Sequence, residues 1–277
     1  MIEAITPSVG AEIRGIDLRT QLCDADVVSA IKQAFLDHHV LVFRDQDLTR
    51  DQHKDFGRLF GPLHIHPTQR GDDYQGDREV FPIEADETTV LNNGGLWHSD
   101  VSCDEMPPLG SMLLLKEAPA QGGDTLFANM HLAYETLSEP IRAMIDGLEA
   151  VHDRRQDIRH YGLEPRAGVD YPKHVHPLVV VHPETGRKLL FVNPAFTTGI
   201  EGLADRESRA ILQMLYEHTA INPSLQCRVR WEPGTLTFWD NRCVQHYAVW
   251  DYRPQRRVGE RVTIASTVPP AGHTNAW

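Results

Sequence analysis

The stretch "RVRWEPGTLTFWDNRCVQHYAVWDYRPQRRVGERVTIAST", residues 228–267, is built from short runs of Val, Leu, Thr and aromatic residues separated by turn signals. "RVRWEPGTLTFWDN" and "ERVTIAST" read as strands, with "EPGT" as a hairpin turn. The same texture recurs upstream in "GSMLLLK", "DTLFANM" and "HPLVVVHPETGRKLLFVN", where "PETGR" reads as a second hairpin. Strands of this length and number predict a mainly β chain, a double-sheet jelly roll with helices packed on its outside.

The helices are marked by their caps. Asp24 precedes "ADVVSAIKQAFLDHH", with Val27, Val28, Ile31 and Phe35 at helical spacing, and "VLVF" follows as a buried strand. Thr49 caps "RDQHKDFGRLF", which Gly61 and Pro62 stop, and further helices are expected in "MHLAYETLSEPIRAMIDGL" and "RESRAILQMLYEHTA". Two stretches resist assignment, about 67–95 and 152–175, and read as a lid loop and an insert. With no repeat or linker, residues 1–277 are expected to form one domain.

The 39 acidic and 27 basic residues leave a formal net charge of −12, which argues against nucleic acid or an anionic membrane as the main partner. Cys23, Cys103, Cys227 and Cys243 show no CxxC spacing and read as free thiols in a reducing cytoplasm. Neither a signal peptide nor a membrane span is evident, so a cytoplasmic protein is expected.

The chemistry concentrates in two places. In "LWHSDVSCDEMPP", residues 96–108, His98 and Asp100 stand two apart, and on a strand such residues share a face. That pair offers two ligands of a 2-His-1-carboxylate triad, the arrangement suited to non-haem Fe(II). Alone it is weak, because His98 also reads as a hydrogen-bonded histidine beside Trp97. His246, just beyond an expected strand, is the candidate for the second histidine, and Arg257 opens the next strand. If the two strands are neighbours, the Arg257 fork stands across a pocket from the metal and fits the distal carboxylate of a dicarboxylic acid. Thr125, after Gly122 and Gly123, could add a neutral hydrogen bond to the same anion. The plainer alternative for Arg257 is a solvated charge within "RRVGER".

His98-Ser99-Asp100, "GGDTLF", "WDNRxxQHYA" and "DYxPQRRxxxR", in this order, resemble the Fe(II)- and 2-oxoglutarate-dependent oxygenases of the taurine dioxygenase (TauD/TfdA) family. The likeness extends from "GAEIRGIDL" through "LFGPLHIHP" to "RVTI". It implies a double-stranded β-helix, the cupin-like jelly roll, with Fe(II), 2-oxoglutarate and O2 as cofactor and cosubstrates. By this resemblance His98, Asp100 and His246 are the iron ligands, and Thr125 and Arg257 hold 2-oxoglutarate. His66, Val101, Phe196 and Arg261 line the site of a small anionic substrate: a sulfonate such as taurine, an alkyl sulfate or an aryloxyalkanoate. It also implies succinate and CO2 as products, and a homo-oligomer, dimer or tetramer.

The chain departs from the taurine pattern at Gly94 and Gln69, where the taurine enzymes carry an asparagine and a tyrosine. Asn92 or Asn93 could supply the missing amide, and a roomier pocket is expected. His64 is assigned to loop packing, and His53, His152 and His273 to the surface. Two other classes use the same residues: a zinc hydrolase with the same three ligands, and a jelly-roll binding protein without turnover. The intact keto-acid positions, Thr125 and Arg257, favour the oxygenase.

Overall fold

The computed structural model of the chain describes residues 1–70, 74–91 and 94–272. Its N-terminal third holds β1 (Ile2–Ala4), β2 (Ala11–Ile13), α1 (Leu18–Gln21), α2 (Ala25–His38), β3 (Val40–Phe43), α3 (Arg50–Arg58) and β4 (Val80–Ala85). The central part contains β5 (Gly110–Glu117), β6 (Thr125–Asn129), α4 (Met130–Glu135), α5 (Glu139–Ile145), β7 (Glu149–Asp153), α6 (Arg154–His160) and β8 (Lys173–Pro177). The remainder comprises β9 (Val179–Val181), β10 (Lys188–Leu190), β11 (Thr197–Ile200), α7 (Asp205–Ala220), β12 (Gln226–Val229), β13 (Leu236–Asp240), β14 (Val244–Ala248) and β15 (Arg257–Ile264).

A seven-stranded sheet, ordered β1-β2-β3-β13-β5-β15-β4, forms one wall of the jelly roll. Three strands, β12-β6-β14, form the sheet opposite, and β11-β7-β8 and the β9/β10 hairpin extend the frame. Leu113, Leu115 and Trp239 of the large sheet share an apolar cluster with Phe127, Val229 and Val244 of the small one. On the outer face of the large sheet, Phe35 and Phe56 from α2 and α3 pack around Phe238, with Phe35 stacked 4.0 Å from it. Burial of these aromatic faces, rather than helix propensity, holds the helices in place.

The expected caps are present. Asp24 accepts from the backbone of Asp26 and Val27, and Thr49 with Gln52 makes a capping box. All four cysteines are free thiols, three of them buried. Among the described residues no helix is long and apolar enough to cross a membrane.

Other expectations need correction. The expected single helix after β6 is two, α4 and α5, because Pro140 lacks the N–H that a continuous helix requires there. "EPGT" does not close a hairpin: β12 pairs with β6 in one sheet and β13 with β3 and β5 in the other, so the turn crosses between walls. Its Gly234 sits at φ +79°, a left-handed conformation that glycine adopts freely, with its virtual Cβ only 3.2 Å from the Gln46 carbonyl. "PETGR" does close the β9/β10 hairpin. The stretch 67–95 is not one loop, since it contains a short 3₁₀ turn, Pro67–Gln69, and the edge strand β4. The stretch 152–175 likewise holds α6 and the start of β8. His53 and His152 are not surface groups but fully buried, while His273 lies outside the described residues.

Candidate active site

His98 and Asp100 are not on a regular strand. His98 forms an isolated antiparallel bridge with His246 of β14, donating to its carbonyl at 3.1 Å and accepting from its N–H at 2.8 Å. Residues so paired point their side chains to the same face, which brings the two rings to 4.0 Å between centroids. His246 therefore lies inside a strand rather than beyond one. Asp100 arrives by a turn: its N–H donates to Asn241 Oδ1 at 2.6 Å, and Asn241 Nδ2 donates back to the Asp100 carbonyl at 3.0 Å. Val101 follows at φ +49°, a strained conformation for a β-branched residue and the sort of backbone cost found at functional sites.

Asp100 Oδ1 lies 3.9 Å from His98 Nε2 and 4.0 Å from His246 Nε2. His98 Nδ1 lies 2.7 Å from the Leu96 carbonyl, which can only accept, so Nδ1 carries the proton and Nε2 presents its lone pair to the cluster. Burial, with His98 alongside, pushes the His246 imidazole well below its ordinary pKa and keeps it neutral. Burial alone would raise the Asp100 carboxyl, but Arg261 and the two histidines hold it below the usual carboxylate range. Ser111 Oγ donates to Asp100 Oδ2 at 2.8 Å and Arg261 Nη1 donates to Oδ1 at 2.7 Å. Two imidazoles and an ionised carboxylate, all converging, are a donor set that fits a divalent metal.

Arg257 opens β15 on the large sheet, so it is not on a neighbour of the His246 strand but on the opposite wall. It is 7 % exposed, and among the described residues its guanidinium makes no hydrogen bond or ion pair. Such a buried charge costs several kcal/mol unless a partner arrives, which makes it a socket for an anion. The Trp231 ring lies 5.4 Å from it, and the Trp231 indole N–H donates to Thr125 Oγ1 at 2.9 Å. With its oxygen accepting from Trp231, the Thr125 hydroxyl proton is free to donate into the cavity.

His98, Asp100, His246, Thr125 and Arg257 share one cavity of about 310 Å3 with His66, Val101, Phe196 and Arg261, so every expected site residue is brought together. Arg257 and Arg261 share a face of β15 because they are four apart on a strand. His66 Nδ1 accepts the Thr68 N–H at 3.3 Å, so Nε2 carries the proton. Burial, then Arg261 and Arg154, push its pKa to about 3, leaving a neutral donor. Phe81 packs against both, its centroid 4.6 Å from the His66 ring and 5.0 Å from the Arg261 guanidinium. Phe196 is fixed through Asn193, which accepts its N–H at 3.0 Å and donates to Ser102, itself 3.0 Å from the buried His152 ring.

Gly94 borders the cavity at φ +88°, with a virtual Cβ 3.3 Å from the His98 ring, and its N–H donates to Tyr161 Oη at 2.8 Å. Tyr161 thus enters the region where a roomier pocket was expected. Gln69 does not line the cavity; its side chain is buried and donates to Tyr74 Oη and the Val80 carbonyl, both at 2.8 Å. Asn92 and Asn93 lie outside the described residues. His64 packs within its loop, 3.2 Å from Arg70 and 3.6 Å from Asp104.

Sequence reasoning missed Asn241, Ser111, Trp231, Arg154, Asp157 and Tyr161. The first three carried a weak signal, standing near motif residues. The last three belong to the charged insert that resisted assignment, and only the fold carries them to the cavity.

A jelly roll with a His/Asp/His cluster and an arginine unpartnered among the described residues, all in one cavity, defines a metal- and oxoacid-binding enzyme site. The chain belongs to the taurine catabolism dioxygenase TauD, TfdA family, whose family model matches residues 1–263. It is 37 % identical to an alpha-ketoglutarate-dependent sulfonate dioxygenase of Saccharomyces cerevisiae, over 97 % of this chain and 67 % of that protein. It is 36 % identical to an alpha-ketoglutarate-dependent sulfate ester dioxygenase of Pseudomonas putida, over 97 % and 90 % of the two chains. A taurine dioxygenase from Burkholderia xenovorans superimposes with a TM-score of 0.82 at 36 % identity, covering 98 % of this chain and 92 % of that one. The protein is an oxidoreductase, an Fe(II)- and 2-oxoglutarate-dependent dioxygenase.

Proposed function

We propose that the protein oxidises a small sulfonate or alkyl sulfate ester at the carbon bearing the sulfo group, with His98, Asp100 and His246 holding Fe(II). Thr125 and Arg257 take the distal carboxylate of 2-oxoglutarate, and Arg261, His66, Val101 and Phe196 face the primary substrate. The observation that carries this reading is Arg257, a buried guanidinium without an acid partner among the described residues, facing the triad from the opposite wall. A zinc hydrolase has no use for it.

Bound Fe(II) supplies coupled O2 activation, in which 2-oxoglutarate becomes succinate and CO2 and one oxygen atom enters a substrate C–H bond. This chain's residues set the geometry. Arg257 and Thr125 anchor the keto acid at its far end, leaving its keto-carboxylate toward the triad. Arg261 and the His66 Nε2–H bind the sulfo oxygens, charge-assisted from one side and neutral from the other. Phe81, Phe196 and Val101 exclude water around the reacting carbon. For a sulfonate, R–CH2–SO3⁻ plus O2 and 2-oxoglutarate then gives R–CHO, hydrogen sulfite, succinate and CO2. The C–S bond breaks as the new hydroxyl becomes the carbonyl, and its proton leaves with sulfite.

The test is succinate formation by the Fe(II)-loaded protein in air, alone and with taurine, a longer alkanesulfonate, an alkyl sulfate and a phenoxyacetate. Stimulation by an alkanesulfonate or alkyl sulfate, with equimolar sulfite or sulfate, is expected. Stimulation by phenoxyacetate alone would overturn the sulfo assignment.

A further inference from the structure

Arg154 lines the same cavity as the triad and Arg261, yet neither the metal nor the 2-oxoglutarate positions use it. It is the first residue of α6, anchored by its N–H to the Pro172 carbonyl at 3.0 Å. Its Nη1 lies 2.8 Å from Asp157 Oδ2, and its guanidinium lies 5.8 Å from the centroid of Phe196. No other partner of the guanidinium is found among the described residues, so further N–H donors remain for a ligand.

Helix stability does not account for this side chain. A cation in the first turn opposes the helix dipole, and a basic residue preceding its acidic partner is the weaker order for such a pair. The two side chains are only 22 % and 11 % exposed, and an ion pair withdrawn from water is commonly no more stable than apolar residues of equal volume. Phe81, Leu91, Val101 and Phe196 make neighbouring parts of the wall apolar, so an alkyl tail would be better met by another apolar side chain at position 154. Arg154 also acts with Arg261 to lower the pKa of His66, which places both cations around one region. Two guanidiniums around one cleft exceed what a single sulfo group needs.

We propose that Arg154 is a substrate-binding residue that reads a second anionic group, and that the preferred substrates are sulfonates or sulfate esters that also carry a carboxylate. This rests on the sulfo reading of the site given above. Asp157 holds the guanidinium against Phe196 and balances its charge until substrate arrives.

The experiment compares butane-1-sulfonate with 4-sulfobutanoate, which differ only in a terminal methyl against a carboxylate. Sulfite release is followed for the wild type, Arg154→Gln and Arg154→Lys, and binding of both compounds to the Mn(II)- and 2-oxoglutarate-loaded proteins is measured without air. The wild type is expected to favour 4-sulfobutanoate in kcat/KM by about tenfold or more, the worth of one charge-assisted hydrogen bond. Arg154→Gln should raise its KM and Kd for 4-sulfobutanoate by a similar factor while leaving butane-1-sulfonate within about twofold, and Arg154→Lys should recover part of the loss. Equal loss on both sulfonates, or no preference in the wild type, overturns the inference and leaves the sulfo reading standing. Sulfite from neither compound, with no sulfate from butyl sulfate or 4-(sulfooxy)butanoate run alongside, overturns both.

Discussion

Asp100 is gripped on every side: its backbone by Asn241, one carboxylate oxygen by Ser111 and the other by Arg261. A carboxylate so oriented loses no rotamer freedom on binding a cation, so Asp100→Ala is expected to abolish tight metal binding and to lower turnover at least ~100-fold, as losing a liganding or second-sphere group commonly does. Metal content after dialysis and succinate release check this, and undiminished 2-oxoglutarate decarboxylation by the variant would refute the ligand set. Arg257 faces a different demand, since it is buried without an acid partner among the described residues. Arg257→Gln should raise the KM for 2-oxoglutarate by roughly 10- to 100-fold, the worth of a charge-assisted pair, with the metal still bound. A KM unchanged within error would remove Arg257 from the keto-acid site. These residues were legible through the combination of motifs that carries the family resemblance, since the His98/Asp100 pair alone is weak and Arg257 alone reads as a solvated charge. Trp231 was not, because nothing in "RVRWEPG" says that its indole will brace Thr125 and face Arg257.

At the scale of the element, β15 does two jobs with its alternation. Arg257 and Arg261 face the cavity, while Glu260 on the other face pairs with Lys116 at 2.9 Å and with Arg50. Gly259 is glycine because a Cβ there would stand 2.7 Å from the Leu114 carbonyl and 2.9 Å from Leu115 Cδ2. A backbone oxygen cannot step aside, so Gly259→Ala is expected to cost about 1–3 kcal/mol and to displace both arginines. Calorimetry and the KM for 2-oxoglutarate should move together; a lower melting temperature with unaltered KM would mean that the strain is absorbed elsewhere. The caps of α2 and α3 were readable because capping is local. The crossing at "EPGT" was not, since a four-residue turn of that composition serves a hairpin and a change of sheet equally well.

For the whole molecule, the site joins two walls: His246 comes from the small sheet, Arg257 and Arg261 from the large one. Ligands that engage both should couple the walls, so Mn(II) with 2-oxoglutarate, without air, is expected to add about 2.7 kcal/mol at a hundredfold excess over Kd. EDTA should reverse the resulting rise in melting temperature, and absence of any rise would argue against a site spanning the sheets. Acid works the other way. His39, His53, His131 and His152 are buried, and burial lowers their pKa values from 6.5 to about 3, 4, 4 and 3.

 The unfolded chain takes up protons at these rings below about pH 6.5 while the folded chain does not, so stability is full above that pH and falls as the pH drops. His53 alone forfeits about 3 kcal/mol by pH 4, a large share of the ~5–15 kcal/mol typical of a folded protein. The melting temperature should therefore be level above about pH 7 and fall steeply between about pH 6 and 4, and a flat profile there would show that these imidazoles are not held neutral.

What the sequence by itself determined is the local and the chemically rare: the caps, the alternating strands, the jelly-roll class, and a donor set that binds a metal and an oxoacid. Each of these depends on residues close together in the chain or on side chains with few other uses. Only the tertiary structure decided that His98 meets His246 through a backbone bridge, that Arg257 faces the triad from the opposite sheet, and that the insert at 152–175 sends Arg154, Asp157 and Tyr161 into the cavity. These are pairings between distant segments, set by which faces of the two sheets can be buried together, and spacing along a chain carries no measure of that.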